Sequence, residues 1–567
     1  MNQNKQFDAI VVGMPVSGGW AAKELCDKGL ETLVLERGRM VEHIEDYPTM
    51  HNDPWNQPYK GQLSVEEKKQ QHIQTRVGWA PQADNKYFFV NDLDHPYAEK
   101  KRFDWIRGYH VRGRSLTWGR QSYRLSDIDF EANKRENIDV GWPVRYADIS
   151  PWYDKIEEYF GVSGQNLELK QLPDVKFQPP MALNCVEEDF QRKTFEKFED
   201  GRLITIGRTA NITAPTFEFE GRGVCQNKNR CSMGCPFGGH FSSNSVALPA
   251  AERTANMTLR PNSIVHEILY DATTKKATGV RVIDAETNEK TEFKAKVIFL
   301  CASAMASVMI LLQSKSEHFP NGLRNNSDAL GRGIMDHHYK LDATAKADGF
   351  LNKYYKGRRA NGCYIPRFVK LDKKTKREGY LRDFGYQGTA NRGDWSESVA
   401  EIRYGKALKD ELLKPGSWQI GVTGFGEFLP YDDNRVTLSE TKKDKWGLPR
   451  LEFDMEFKEN AYNIRKDIKT EIVSMFKTVR FMGVQPYEES SGPSLGIYEM
   501  GGARMGHNAK TSMVNKKNQL HAVPNVYVTD GAFMSSTSCV NPSLTYMAFT
   551  ARAANNAAEQ LKKGHFA

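Results

Sequence analysis

Three cysteines lie close together in the sequence, a clustering typical of metal or redox chemistry. Cys225, Cys231 and Cys235 are spaced as C-x5-C-x3-C, and Pro236 follows the last of them. Thiolates hold iron–sulfur clusters, and a proline after the last cysteine recurs in ferredoxin-type sequences. Three thiolates with the imidazole of His240 would instead complete a closed tetrahedral zinc site. The spacing alone leaves both metals open, and three unligated thiols are the remaining interpretation.

A glycine-rich turn near the start of the chain is the second candidate for chemistry. Gly13 and Gly18 fit the first and last glycines of the dinucleotide-binding pattern GxGxxG, but the middle position is Pro15. Glu36 lies about 20 positions further on, where an acidic side chain hydrogen-bonds the ribose of an adenosine. The combination predicts a dinucleotide site, although Glu36 alone would equally suit a surface position that closes a strand.

Pro15 departs from the pattern at a position that serves the cofactor. At the start of a helix the amide hydrogens have no intrahelical partner, and the φ angle of proline suits the first turn. We therefore expect the domain to fold. The middle glycine normally lets the backbone approach a pyrophosphate, whereas proline adds a ring and removes one amide donor. The sequence thus predicts a shifted or weakened dinucleotide.

Parallel-type strands and helices are expected to hold this turn in place. Residues 7–12 predict a strand, residues 18–28 a helix and residues 31–36 a buried parallel strand. Further along, the sequence predicts a meander at 263–294, strands at 296–301, 418–424 and 525–530, and a helix at 544–563. We predict an α/β protein with a Rossmann-like domain interrupted by a second, sheet-based α+β domain.

Length and composition set broad limits on the protein. The 567 residues predict at least two structural units. With 39% hydrophobic and 26% charged residues, the composition is ordinary for a globular protein. The net charge of +8 is mild over this length and predicts no nucleic-acid binding. No apolar run reaches transmembrane length, and the first residues lack the features of a signal peptide.

Four segments together resemble the GMC family, the glucose–methanol–choline oxidoreductases. They are the glycine turn with Glu36 and the segments GRSLTWGRQSYR (113–124), VTDGAFM (528–534) and NPSLTYMAFTARAA (541–554). The resemblance spans essentially the whole chain, and its C-terminal part is the most specific. Within the family, the cysteine cluster and GRGIMDHHY (331–339) are similar to a branch of bacterial sugar dehydrogenases that includes the gluconate 2-dehydrogenase and glucoside 3-dehydrogenase flavoproteins.

This resemblance implies a flavoprotein dehydrogenase that binds FAD, covalently or not. A secondary alcohol of a sugar or glycoside would lose a proton to a base and a hydride to flavin N5. The FAD-binding domain would comprise residues 1–155, 220–335 and 496–567, and the substrate domain residues 156–219 and 336–495. The cofactor-binding residues implied by the resemblance are Gly13, Pro15, Ser17, Gly18, Glu36, Arg37, Trp118, Gly119, Asp530, Gly531 and Asn541.

For the cysteines, the resemblance implies a [3Fe–4S] cluster held by Cys225, Cys231 and Cys235, with zinc as the alternative. Such a cluster would lead electrons to a cytochrome c-type or quinone-linked acceptor. Relatives in this branch pair with a small subunit that carries an export signal. We therefore expect either a periplasmic location by co-export or a cytoplasmic one, with any membrane contact made only through partners.

Tyr498 is the second departure from the family pattern. The residue three positions before the first glycine of YEMGGARMG (498–506) is the catalytic histidine in the family, and here it is a tyrosine. Histidine titrates near neutrality, whereas tyrosine has an ordinary pKa of about 10. Asn541 keeps the family's asparagine, which would orient the substrate hydroxyl. Tyr498 is either a catalytic tyrosine or an aromatic ring packed at the flavin edge. The histidines considered as substitutes are His337 and His338, with His507 and His521 near the motif.

Because both departures fall on positions that serve cofactor or chemistry, a second class of function competes with the enzyme. In that alternative the chain is a GMC-fold paralogue that has lost catalytic competence and acts as a binding or assembly subunit.

Overall fold

The computed structural model describes residues 5–53, 56–138, 140–215, 221–228, 230–393 and 404–566. Its strands are β1 Gln6–Val12, β2 Thr32–Leu35, β3 Ala98–Glu99, β4 Thr205–Ile206, β5 Met257–Arg260, β6 Ser263–Asp271, β7 Lys276–Asp284, β8 Lys290–Leu300, β9 His337–His338, β10 Leu341–Ala347, β11 Cys363–Ile365, β12 Phe384–Arg392, β13 Trp418–Glu427, β14 Arg435–Lys443, β15 Pro449–Asp454, β16 Met482–Glu488, β17 Gln519–Leu520 and β18 Val523–Val528. Its α-helices are α1 Val16–Asp27, α2 Val65–Gln70, α3 Asp127–Arg135, α4 Tyr146–Phe160, α5 Cys185–Lys197, α6 Leu248–Arg253, α7 Ala304–Gln313, α8 Gly405–Leu412, α9 Glu459–Thr478 and α10 Ser543–Lys562.

An eight-stranded sheet forms around β1, whose apolar residues are buried on both faces. The strand order is β17-β18-β8-β1-β2-β5, and the hairpin β6–β7 attaches to β8. Val12 pairs in parallel with Leu35 and Leu300, and Leu300 pairs in parallel with Val528. The carboxyl ends of β1, β2, β8 and β18 therefore meet at one edge, which is where open α/β sheets bind their ligands.

The helix α1 packs between this sheet and the helix α10. Its Trp20 is fully buried, with its ring edge-on to Tyr159 at 5.3 Å and beside Phe160 and Phe241, both at 6.4 Å. Such a ring contributes both burial of apolar area and aromatic contacts. The position of α1, and with it the turn that precedes the helix, is fixed by this cluster.

No helix within the described ranges is both long enough and apolar enough to cross a membrane.

A seven-stranded sheet forms the second layer, in the order β16-β10-β13-β12-β11-β4, with β9 paired to β13. Its pairs are antiparallel. The helix α9 covers one face with Ile464, Ile468 and Ile472, which recur every four residues along one side of the helix and are buried. A small sheet of β14, β15 and β3 completes the strands.

The predicted α/β class, a Rossmann-like sheet with a second sheet-based unit, is confirmed. The predicted boundary between the meander and the parallel strand at 296 is wrong. The end of the predicted meander and the predicted parallel strand together form the single long strand β8. Its first half pairs antiparallel with β7, and its second half pairs in parallel with β1. The helix α1 begins at Val16, two residues before the predicted start at 18.

The domain boundaries stay a prediction. The eight-stranded sheet draws on residues 6–35, 257–300 and 519–528, and the seven-stranded sheet on residues 205–206, 337–427 and 482–488. The strand β3, from the first predicted segment of the FAD-binding domain, pairs with β15 from the predicted substrate domain.

Replacing Trp20 by alanine is expected to lower the free energy of unfolding by about 3–5 kcal/mol, because a fully buried ring would leave a cavity. The matched control is Phe195→Ala on α5, where the ring is 82% exposed and the expected change is within about 0.5 kcal/mol. Urea unfolding followed by circular dichroism measures both. Equal effects of the two substitutions would contradict the packing described for α1.

Candidate active site

A cavity of about 500 Å³ opens at the carboxyl edge of the eight-stranded sheet and reaches β12 and β13 of the second sheet. Its volume lies within the range of small-molecule and cofactor sites. Ten of the eleven predicted cofactor residues line it, together with Tyr498: Gly13, Pro15, Ser17, Glu36, Arg37, Trp118, Gly119, Asp530, Gly531 and Asn541. The structure thus brings together residues from both ends of the chain.

Glycines at the turn after β1 allow two segments of backbone to meet. Gly13 has φ +82°, and a Cβ there would lie 2.5 Å from the Cα of Ala302, which follows β8. Gly18 is absent from the cavity lining. A Cβ on it would lie 2.0 Å from the carbonyl oxygen of Gly13, so its part is to let α1 pack against the turn.

Pro15 precedes the helix without disrupting it. Its φ of −70° suits proline, and α1 begins at the next residue. The carbonyl oxygen of Pro15 accepts hydrogen bonds from the Gly19 amide (2.9 Å) and the Ser243 hydroxyl (3.0 Å). Gly113 lies opposite, and a Cβ there would approach the Pro15 Cβ to 3.6 Å. The ring therefore lies at the cavity wall against a residue that has no side chain.

Glu36 and Arg37 line the part of the cavity where the sequence predicts the nucleotide. The buried carboxylate of Glu36 accepts the amides of Met14 and Gly38, both at 3.0 Å. Burial raises the pKa of Glu36 to about 7, and these two amides offset part of the rise. Arg37 lies 3.6 Å from the carboxylate of Asp444. This end offers an acceptor suited to ribose hydroxyls and a cationic wall.

The middle of the cavity is lined by the segment after residue 113 and by the end of β18. The indole N–H of Trp118 donates to the carbonyl of Phe241 at 2.8 Å, which fixes the ring. A Cβ at Gly119 would lie 3.8 Å from the Cγ of Gln121, an ordinary contact. Asp530 accepts the amide of Ala532 at 3.0 Å and the hydroxyl of Ser307. Burial raises the pKa of Asp530 to about 6, and the bond from Ser307 offsets part of the rise.

Five buried polar atoms that belong to cavity-lining residues have no hydrogen-bond partner among the described residues. They are Arg37 Nε, Arg107 Nε, Arg120 Nε, Glu499 Oε1 and Tyr546 Oη. Buried polar groups are normally paired, so unpaired ones are typical of a site that binds a polar ligand. Together with the Glu36 carboxylate and the N-terminus of α1, these atoms fit a long polar dinucleotide such as the predicted FAD.

Tyr498 and Asn541, the predicted catalytic pair, meet in the same cavity. The side-chain amide of Asn541 donates to the Tyr498 hydroxyl at 2.8 Å, and Gln387 Nε2 donates to Asn541 Oδ1 at 2.5 Å. Burial raises the pKa of Tyr498 above its ordinary value, and the hydrogen bond from Asn541 and the charge of Arg114 offset part of the rise. Tyr498 is therefore a neutral phenol at neutral pH.

The histidines considered as substitute bases do not reach the cavity. None is among the described residues that line it. His337 is buried with its ring edge-on to Tyr498 at 5.5 Å, and burial lowers its pKa to about 4. His338 packs against Phe428 and Phe457. His521 contacts Ser512 at 3.1 Å, and His507 is exposed.

An ion pair missed by the sequence analysis holds the Tyr498 segment in place. Arg114 Nη2 donates to Glu499 Oε2 at 2.9 Å, and Nη1 donates to the carbonyls of Ile106 (3.1 Å) and Ile497 (3.2 Å). The segment GRSLTWGRQSYR, which carried the family resemblance, contains Arg114, and NPSLTYMA contains Tyr546. Gln387 lies in β12 without any signal of its own.

The three cysteines do not assemble into a metal site. Cys231 lines the main cavity, whereas Cys225 lines a second one of about 630 Å³ and directs its thiol to Asn227 Oδ1 at 3.7 Å. No group of three or more histidine, cysteine or acidic side chains in the described part of the chain is arranged to hold a metal. His240, the predicted fourth zinc ligand, is buried outside any such group. Cys235 is not among the described residues that line either cavity, so the geometry does not support the cluster or the zinc site.

Known proteins match the chain over most of its length. Two family profiles, both described as GMC oxidoreductase, match residues 99–339 and 430–550, together more than half of the chain. The fructose dehydrogenase large subunit of Gluconobacter japonicus is 25% identical over 99% of this chain and 100% of that protein. The 2-methyl-1,2-propanediol dehydrogenase of Mycolicibacterium austroafricanum is 26% identical, over 97% and 94%. The gluconate 2-dehydrogenase flavoprotein of Pantoea cypripedii is 23% identical, over 99% and 95%.

Replacing Pro15 by glycine is expected to tighten FAD binding about tenfold, the equivalent of one added hydrogen bond of about 1.4 kcal/mol. The change restores an amide donor and removes the ring from the cavity wall. Pro15→Ala is the matched control, because it restores the amide but keeps a Cβ. Fluorescence titration of the apoprotein with FAD measures the Kd, and unchanged affinity in both variants would show that Pro15 does not limit binding.

Proposed function

The chain belongs to the GMC oxidoreductase family, and from that premise we propose that it interconverts a secondary alcohol of a sugar or glycoside and the corresponding ketone. At family level it is an FAD-dependent oxidoreductase that acts on alcohol groups. The observation that carries the proposal is the single cavity that joins the nucleotide end at Glu36 to Tyr498 and Asn541. FAD, when bound, supplies hydride transfer.

A polyhydroxylated substrate is supported by the side chains at the far end of the cavity. Gln121, Asn361, Gln387 and Asn541 line it beside Tyr498. Amides and hydroxyls placed in this way select substrates that can hydrogen-bond to them. Two of the relatives are named for fructose and gluconate, which are sugar-type substrates.

Residues of the chain would position the groups that take part in proton transfer. The amide of Asn541 positions the Tyr498 hydroxyl, and Arg114 fixes the Tyr498 segment through Glu499 and the carbonyl of Ile497. Oxidation of an alcohol requires a group that accepts the hydroxyl proton. With a pKa above about 10, fewer than about one tyrosine in a thousand is ionised at pH 7, so oxidation is expected to be slow there.

The proposal extends to the electron acceptor, the partner subunit and the cellular location. We propose a small partner subunit and a cytochrome c-type or quinone-linked acceptor, with co-export to the periplasm, a cytoplasmic location being the alternative. One of the relatives is itself named as a large subunit, which supports a multisubunit assembly. Contact with a membrane would be made only through these partners.

The [3Fe–4S] cluster, with zinc as the alternative, is a separate proposal. Burial raises the pKa of the Cys225 thiol, and Cys231 and Cys235 add to that rise, so the three thiols lie within electrostatic range. This proximity is what supports the proposal. The three cysteines would have to move closer around the metal, because no three such side chains in the described part of the chain are arranged to hold one.

A catalytically impaired paralogue is the second candidate function. It is favoured by one observation, the neutral phenol of Tyr498 at the position of the family's base with no histidine in the described cavity lining. Such a protein would bind FAD or a sugar and serve as a binding or assembly subunit.

Anaerobic mixing of the FAD-loaded protein with a panel of sugars and glycosides separates the two candidates. Bleaching of the flavin absorbance by at least one alcohol, faster at pH 10 than at pH 7, is expected because the phenolate is the base. Flavin that is never reduced at either pH would support the paralogue.

Replacing Tyr498 by histidine is expected to raise oxidative turnover at pH 7 by about 10- to 100-fold, because an imidazole accepts a proton at that pH. Tyr498→Phe is the matched control, since it keeps an aromatic ring and cannot accept a proton. Initial rates with an artificial electron acceptor measure the effect. Equal rates in the wild type and both variants would show that proton removal is managed elsewhere.

Metal analysis of protein produced with iron and sulfide available tests the cysteine proposal. About three iron atoms and four sulfides per chain are expected for the cluster, and they should be lost in Cys231→Ser but kept in Cys363→Ser, a buried cysteine of β11. One zinc per chain, or no metal, would contradict the iron–sulfur proposal.

A further inference from the structure

The side-chain hydrogen bonds at Tyr498 form a chain in which each residue donates to the next, from Gln387 to Asn541 to Tyr498. Gln387 donates to the side-chain oxygen of Asn541, so the Asn541 amide nitrogen faces Tyr498 and donates to its hydroxyl. The hydroxyl is thus an acceptor within this relay. Its own proton has no acceptor among the described residues, and Tyr498 lines the cavity. A tyrosine hydroxyl used in this way has one proton left to donate to a ligand.

The charged groups around Tyr498 favour a ligand oxygen that gains negative charge. Arg114 and Arg120 both act on Tyr498 as cations, and Arg114 is paired with Glu499. Arg120 donates to the carbonyls of Trp118 (2.7 Å) and Ala360 (3.1 Å) and forms no ion pair with any described residue. A cation without a carboxylate partner stabilises an oxyanion that forms nearby.

The carboxyl group of Asp336 lies at the backbone of Tyr498. Asp336 accepts the backbone amides of Gly496 (2.8 Å) and Tyr498 (2.9 Å), and burial raises its pKa to about 7. The nearby His337 is neutral because burial lowers its pKa.

The other tyrosines close to Tyr498 add no base. Burial raises the pKa of each of them above the ordinary value: Tyr123, Tyr339 and Tyr546. Around the Tyr498 hydroxyl the described structure therefore offers proton donors and cations, together with the carboxylate of Glu499, whose Oε2 is paired with Arg114 and whose Oε1 has no partner.

We propose that this chain works chiefly as a ketone reductase for oxidised sugars, with Tyr498 as the proton donor. The inference rests on the proposed function, because it uses the same cavity and cofactor in the opposite direction. The carbonyl carbon of a keto sugar or keto glycoside receives a hydride from reduced flavin, and the carbonyl oxygen takes the Tyr498 proton as the π bond breaks. The product is the secondary alcohol and the flavin is left oxidised.

The remaining balance needs two external partners. Solvent returns a proton to Tyr498, and a quinol-type electron carrier restores the reduced flavin with two electrons and a second proton. The same transition state serves both directions, but reduction needs the neutral phenol and oxidation needs the phenolate. Because the neutral phenol prevails at pH 7, almost every Tyr498 side chain is in the form that reduction needs. Only a trace is in the phenolate form that oxidation needs.

The test uses the FAD-loaded protein reduced with dithionite under anaerobic conditions and mixed with a keto glycoside or a ketose. Return of oxidised-flavin absorbance is expected, with a rate that is level between about pH 6 and 9 and falls only as Tyr498 ionises. Tyr498→Phe is expected to slow this step by about 100-fold or more. Tyr354→Phe, where the ring is 74% exposed, is expected to leave it unchanged.

Calorimetric binding to the oxidised holoprotein gives a readout independent of turnover. The keto sugar is expected to bind more tightly than its parent alcohol, because its oxygen only accepts hydrogen bonds, and this preference is expected to disappear in Tyr498→Phe. A structural role for the ring alone would leave the preference in place.

Three outcomes overturn the inference. Keto sugars that fail to reoxidise the flavin, while alcohols reduce it at pH 7, would refute it and leave the proposed function standing. A reduction rate unchanged in Tyr498→Phe would remove Tyr498 as the donor. No electron exchange with any sugar in either direction would refute the proposed function and this inference with it.

Discussion

The hydrogen bond from the side-chain amide of Asn541 to the hydroxyl of Tyr498 sets what this cavity can do chemically. It makes the tyrosine oxygen an acceptor within the protein and leaves its proton for a ligand. Burial adds to this by raising the pKa of Tyr498, so the residue stays neutral where a histidine would be half ionised. In the proposed function, an acid thereby occupies the position where the family resemblance predicts a base, although the surrounding fold is retained.

The scaffold delivers these groups from distant parts of the chain. Parallel pairing aligns the ends of β1, β2, β8 and β18, and the glycine at position 13 lets the turn after β1 touch the turn after β8. Arg114 and Glu499 are 385 positions apart in the sequence and join the two walls of the cavity. The predicted cofactor residues and the predicted catalytic pair therefore line one cavity, as hydride transfer between the two sites would require.

Local patterns predicted the parts of the structure that depend on local physics. The apolar strand before Gly13, the buried strand 32–35 and the long C-terminal helix form much as their periodicity indicates, and Pro15 is accommodated before α1 as proline chemistry expects. The strand β8 was divided wrongly, because its two halves pair with different neighbours and so carry different patterns. Gln387 was missed, since an amide in an alternating strand is indistinguishable from a solvent-facing one until the partner strands are known.

The cysteine segment shows where spacing stops being informative. Three thiols within eleven residues predict a metal, but the backbone between them is irregular, and side-chain direction in such a segment does not follow from spacing. The three thiols lie close enough to interact electrostatically, but the described side chains are not arranged to coordinate a metal. Tyr498 is the opposite case. Its residue type alone indicated a change in proton transfer, and its hydrogen bond from Asn541 supports proton donation as the proposed direction.

The ionisation state of Tyr498 can be measured directly in the FAD-loaded protein labelled with 13Cζ-tyrosine, with the Tyr498 resonance assigned by its absence in Tyr498→Phe. A resonance that keeps the phenol position throughout the neutral range and shifts only above about pH 10 is the expected result. A transition near neutrality would show that Tyr498 is a base, and would contradict the reversal of proton chemistry described for this cavity.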